Sequence, residues 1–145
     1  MTIHRIYLDN CCFNRPYDDQ AYLTVYLEAE AKLFVQKEIL QGSFELAWSY
    51  MLDYENSMNP YEERRKAIEN WKKIAAIDVG FSIDVNILGK KFFEQGLKNK
   101  DALHIACAIV AKCSYFLTTD NGVLNKQISE IIVINPIDFV RKIGA

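Results

Sequence analysis

The chain has 145 residues, half of them hydrophobic, with a formal net charge of −2 and a pI near 5.7. That is enough apolar material for one ordinary core, which excludes a disordered chain, and it lacks the strongly basic balance that marks a nucleic-acid binder by charge alone. No apolar run approaches the roughly 18 residues of a membrane span, and no basic segment followed by an apolar stretch opens the sequence. A single cytoplasmic domain over residues 1–145, with no membrane, is expected.

The first apolar run, Ile3 to Leu8, reads as a strand and ends abruptly on Asp9 within "IYLDNCCFNRPYDDQ". A carboxylate there is either a loop residue or a ligand. Cys11 and Cys12 follow it and, with Cys107 and Cys113, form neither a C-x-x-C pair nor a zinc pattern, so reduced thiols packed as small apolar filler are expected. A helix is predicted from Asp18 or Asp19 to Gln41, where Gly42 stops it, with Leu23, Tyr26, Leu27, Ala31 and Phe34 as its inner stripe. Glu30 falls on that stripe and is expected to pair with Arg15 or to add a peripheral acid.

Phe44 to Trp48 reads as the next strand, and Ser49 caps a helix that ends before Pro60. In "SYMLDYENSMNP", Met51, Tyr54 and Met58 share a stripe at i, i+3 and i+7, with Glu55 at i+4 and Asp53 turned away. An ionised acid on such a face needs a metal, a basic partner or a functional pocket. A third helix is predicted over Tyr61 to Ile74, with Ala67, Ile68, Trp71 and Ala75 inward and the pairs Glu62 with Lys66 and Glu69 with Lys73 outside. Arg64, Arg65, Lys72 and Lys73 there form a basic cluster able to touch a phosphate backbone.

Asp84 can open a fourth helix that runs to Gln95 and closes at Gly96. The fifth, "KDALHIACAIVAKC", is apolar almost all round and should be sunk in the protein. Asp101 stands at its start, where free backbone N–H groups stabilise a carboxylate, and a plain capping role is an equal alternative. His104, one turn on, reads as a packed or hydrogen-bonded helix residue. Tyr115 to Thr118 is a strand followed by Asp120, then a short helix from Asn121, a last strand at Ile131 to Ile134 and a helix opened by Pro136.

Strands alternating with helices predict an α/β fold, a parallel sheet covered on both faces. In such a sheet ligands gather beyond the carboxyl ends of the strands, where Asp9 and Asp120 can share one crevice. Carboxylates crowded together repel one another unless a divalent cation neutralises them, and oxygen-only ligation suits Mg²⁺ or Mn²⁺ better than zinc or copper. No G-x-S-x-G elbow, P-loop or dinucleotide glycine fingerprint is present.

"IYLDN", "YENS", "KDALHIACAIV" and "FLTTDNGVLNK", in that order over nearly the whole chain, together resemble the PIN domain, the fold of VapC-type toxins and related nucleases. The resemblance implies a three-layer α/β/α sandwich around a mainly parallel sheet. It implies that Asp9, Glu55, Asp101 and Asp120 form an acidic quartet that binds one or two Mg²⁺ or Mn²⁺ ions and cleaves RNA. Asn10 matches the small polar residue after the first acid, and Thr118 or Thr119 the hydroxyl residue before the last. The resemblance further implies an antitoxin as protein partner and a homodimer. "FNRPYDDQ" is longer and more polar than the usual opening; Asn14 and Arg15 in it can contact a scissile phosphate or brace the loop. Two other readings stay open: a non-catalytic module that binds RNA or protein, and a phosphohydrolase with Asp9 as nucleophile. Against the latter, the second aspartate such enzymes carry two residues on is here Cys11.

Overall fold

The computed structural model describes residues 3–144. The elements run β1 (His4–Leu8), α1 (Asn10–Asn14), a 3₁₀ turn (Arg15–Tyr17), α2 (Leu23–Leu40), β2 (Phe44–Ser49), α3 (Tyr50–Ser57), α4 (Glu62–Lys72), β3 (Ile77–Val79), α5 (Ile83–Glu94), α6 (Asn99–Val110), β4 (Tyr115–Leu117), α7 (Asn121–Leu124), β5 (Ile132–Ile134) and α8 (Pro136–Lys142). The fold is the expected α/β one, a five-stranded sheet in the order β3-β2-β1-β4-β5 with every neighbouring pair parallel and helices flanking it.

Parallel pairing puts the carboxyl ends of all strands along one edge of the sheet. The chain winds outward from β1 through β2 to β3, then returns to lay β4 and β5 on the other side of β1. The order therefore reverses between β1 and β4, and a crevice opens at such a switch point. Asp9 follows β1 directly and Thr118 follows β4, whose Leu117 pairs with Leu8. The sheet centre is sealed by Ile6, Tyr7, Leu8, Trp48, Phe116 and Leu117, all fully buried. Tyr7 stacks on Phe116 with ring centroids 5.2 Å apart, and Phe13 of α1 meets Trp48 edge-on at 5.5 Å, which clamps α1 beneath the strand ends.

Several expectations are corrected. α2 begins at Leu23, and the polar stretch before it forms α1 and the 3₁₀ turn. Leu23, Tyr26 and Leu27 are exposed, while Glu28, Ala29, Ala31, Lys32, Val35, Gln36 and Ile39 form the inner face. Glu30 is exposed too, and Arg15 pairs with Glu28, one residue round the helix from the packing stripe first assigned. Glu28 is satisfied on that inner face by Arg15, from the turn before α2, and by Asn135, from the start of α8. On α3 the buried side is Met51, Leu52 and Asn56, so Tyr54 and Met58 face outward and Glu55 is half-buried at the margin. The strand β3 was missed in the sequence: it has three residues with Asp78 in the middle, too short and too polar for a buried-strand pattern. On α4, Glu62 pairs with Lys66 as expected, whereas Lys72 reaches Asp53 and Asp78. All four cysteines are free, three of them buried.

Candidate active site

Asp9 leaves β1 in extended backbone and caps α1: its Oδ1 accepts from Asn10 N at 2.8 Å. Its Oδ2 accepts from Thr118 Oγ1 at 2.8 Å, with the Cys11 thiol 3.5 Å away. Only 6% of the residue is exposed, so this carboxylate is buried and met by donors on both oxygens. Asp120, on the far side of the switch point, caps α7 through Gly122 N and takes Thr118 Oγ1 as acceptor for its own backbone N–H. Thr118, fully buried, is thus the hinge between the first acid and the last. Thr119 contributes its backbone N–H to the Cys11 sulfur at 3.4 Å.

Glu55 hangs from α3, which Ser49 caps at the end of β2. Its Oε1 meets His104 Nε2 at 2.5 Å, so the basic partner foreseen for an inward acid is a histidine. Burial alone would raise the Glu55 carboxyl, but the hydrogen bond and charge of His104, then Lys100 and Asn10, hold it below the usual range. Burial would likewise lower His104, and the bond to Glu55 with the charges of Asp9, Glu55 and Asp101 raises it above the ordinary imidazole value instead.

Asp101 stands in the first turn of α6, whose N-cap is Lys98. Burial comes first, then the charges of Asp9 and Asp120, in pushing its carboxyl up to about 6, with Glu55 adding to the rise and His104 opposing it. Asp101 and Asp120 also line one narrow cleft of about 160 Å³ with Lys98 and Lys126. Asp9, Asp120 and Glu55 thus each act electrostatically on Asp101.

Asn10 contributes a further feature: its Oδ1 is buried without a hydrogen-bond partner in the described residues, beside Asp9 and within influence of Glu55. Asn14 donates to Asn10 O at 3.0 Å and accepts from Asn59 Nδ2 at 3.3 Å, bracing α1 against the loop after α3. Arg15 spends its guanidinium on Glu28 and Asp18, which is the loop-bracing alternative. Sequence reasoning assigns no site role to Tyr7 and Ser49, which stand behind His104, or to Lys98, Lys100 and Lys126 around the acids; the one available sign was a tyrosine inside a buried strand, whose hydroxyl needs a polar partner.

Among the described residues no three His, Cys, Asp or Glu side chains converge closely enough to cage a metal ion by themselves. The donor set still suits a hard cation. Mg²⁺ keeps several waters and binds through one or two carboxylates plus substrate phosphates, a need that the carboxylates of Asp9, Asp101 and Asp120 with the orphan amide oxygen of Asn10 can meet.

No family model matches the chain, and no curated protein matches it. Among solved structures it is similar to a chain of VapBC2 from Rickettsia felis, described as bound to a DNA fragment from the promoter. The superposition has a TM-score of 0.55 at 16% identity and covers 90% of this chain and 98% of the other. At that identity the likeness shows a shared fold. No helix among the described residues is long and apolar enough to cross a membrane.

Proposed function

We propose that this chain is a PIN-like endoribonuclease that hydrolyses RNA phosphodiester bonds with Mg²⁺ or Mn²⁺. The observation that carries the reading is Asp101. Burial comes first, and the charges of Asp9, Asp120 and Glu55 follow, in raising its carboxyl to about 6, and a cation bound among these acids would relieve that crowding. Asp9, Asp101 and Asp120, with Glu55 at the margin, are the residues that would hold the ion. When bound, it supplies charge for phosphate oxygens and a lowered pKa for an attacking water. In hydrolysis the water oxygen forms a new P–O bond as the ester P–O bond to the leaving ribose oxygen breaks. Burial and hydrogen bonds keep Asp9 in one pose, and Lys98, Lys100 and Lys126 offer cations to the RNA backbone around the acids.

The same reading includes a role as the toxin of a toxin–antitoxin pair, supported by the likeness to a chain of VapBC2, and, as a proposal without that support, a homodimer. Exposed Tyr22, Leu23, Tyr26 and Leu27 around the start of α2, and Ile83, Ile87 and Phe93 on α5, are apolar surface of the sort a protein partner covers.

The test is incubation of purified protein with structured and unstructured RNA in Mn²⁺ or EDTA, beside Asp9→Asn. Cleavage that needs the metal and falls at least about 100-fold in the variant, as expected when several kcal/mol of charge stabilisation is lost, supports the reading. Equal cleavage by the variant overturns it. Tight RNA binding that survives EDTA with no products would replace it with a non-catalytic binding module.

A further inference from the structure

Behind Glu55 lies a line of polar groups that the quartet does not account for. Ser49 Oγ is 2.7 Å from Tyr7 OH, Tyr7 OH is 2.6 Å from His104 Nδ1, and His104 Nε2 is 2.5 Å from Glu55 Oε1. Ser49, Tyr7 and His104 are each 0% exposed, so the line is dry until it surfaces at Glu55. A histidine bonded at both ring nitrogens cannot rotate without breaking one bond. Ser49 also caps α3 by accepting from Leu52 N at 3.4 Å. The residue that ends the line therefore starts the helix carrying Glu55. Backbone and carboxylate of Glu55 are tied to one anchor, and Ser49, α3, Glu55, His104 and Tyr7 close a ring.

We propose that His104 is a positioning residue for Glu55, locked in place by Tyr7 and Ser49, and that this ring sets the carboxylate plane from which Glu55 serves the acidic site. The proposal rests on the nuclease reading above for what Glu55 serves. Proton accounting shows that the lock holds in both forms of the ring. In the neutral form Nε2–H donates to Glu55, Nδ1 accepts from Tyr7 OH, and the Tyr7 oxygen accepts from Ser49. In the imidazolium form Nδ1–H donates to Tyr7, which donates to Ser49. Glu55 keeps its donor either way, so the device is geometric rather than a proton switch. A histidine that merely satisfied the core would have no need to end on an acid at the site.

Tyr7→Phe tests this with little disturbance, because the ring stacked on Phe116 stays and only the hydroxyl goes. It is compared in the wild-type and Glu55→Gln backgrounds by three readouts: Mn²⁺ affinity from calorimetry, kcat and KM for RNA cleavage, and the His104 imidazole ¹⁵N shifts. Loss of an outer-shell partner should weaken Mn²⁺ binding and kcat by about 10-fold, leave KM unchanged and move the imidazole shifts. In the Glu55→Gln background the same change should do nothing further to Mn²⁺ or kcat, since the two act as one unit. His104→Gln, which retains a donor, should recover part of what His104→Leu loses, and this pair carries the comparison if Tyr7→Phe unfolds the protein. An equal loss in both backgrounds, or no loss at all, overturns the proposal. A wild-type protein that binds Mn²⁺ but cuts no RNA overturns the nuclease reading alone and leaves the Mn²⁺ cycle to judge the ring. One that does neither overturns both.

Discussion

Thr118 Oγ1 donates its proton to Asp9 Oδ2 at 2.8 Å, and Thr118 Oγ1 in turn accepts from Asp120 N at 3.1 Å. One side chain thereby joins the ends of β1 and β4 across the point where the strand order reverses. Thr118→Val keeps the shape and removes both bonds, leaving a buried carboxylate oxygen with only a thiol nearby. The expected cost is about 1–3 kcal/mol in urea unfolding, the penalty of an unsatisfied buried acceptor, with loss of RNA cleavage beyond that explained by stability. Thr118→Ser, which restores the hydroxyl, should recover most of the activity.

Asp101 gives a pH dependence whose sign follows from its raised carboxyl. In the unfolded chain the group titrates near 3.8, and in the fold near 6. The native state thus binds the proton more tightly, and the stability this provides is fully present below about 3.8 and lost as pH rises through about 6. Metal-free wild-type protein should therefore lose stability relative to Asp101→Asn across that window and be the less stable of the two at pH 7.5. Mg²⁺, which needs the ionised form, should stabilise the wild type more at pH 7.5 than at pH 5, and should do so much less in the variant. Thermal melts of both proteins at the two pH values, with and without Mg²⁺, check this. A variant no more stable than wild type at pH 7.5 without metal would show that burial and the neighbouring acids do not raise the Asp101 carboxyl.

What could be read from the chain beforehand divides along physical lines. β1, β2 and β4 carry aromatic or β-branched runs that report burial on both faces, and β5 carries a similar run at the sheet edge with Ile132 exposed, so the parallel sheet and the places of Asp9 and Asp120 at its carboxyl edge were legible. Although the stripe that placed Glu55 is not the buried face, because Tyr54 and Met58 turn outward, the need of Glu55 for a basic partner was legible from its charge. Its identity was not, since His104 lies 49 residues away and only the fold brings them together. α2 was misread for a related reason. Its leucines and tyrosines look like a packing stripe, yet Glu28 goes inside because Arg15, on a turn just before the helix, and Asn135, at the start of α8, meet it there. Periodicity measures what a helix would bury if nothing polar awaited it, and here something did.

Lys32 takes that inner polar face to its limit. It is 4% exposed, and among the described residues no carboxylate lies within ion-pair distance; the ring of Phe13 stands 5.4 Å from its ammonium. Burial lowers its pKa from 10.5 to about 8. The unfolded chain therefore holds this proton more tightly than the native state, so stability is lowest below about 8 and rises as pH climbs toward 10.5. Lys32→Met keeps the unbranched stem without the charge. At pH 7 it should stabilise the protein by up to about 3 kcal/mol, the free-energy equivalent of that shift, with the gain shrinking by pH 9.5. Urea unfolding of both proteins at pH 7 and 9.5 measures the difference. RNA cleavage should be unchanged, because Lys32 packs against Phe13 rather than against the acids. A variant destabilised equally at both pH values would mean that Lys32 is held by contacts other than those to Phe13, and that its charge is not what the fold resists.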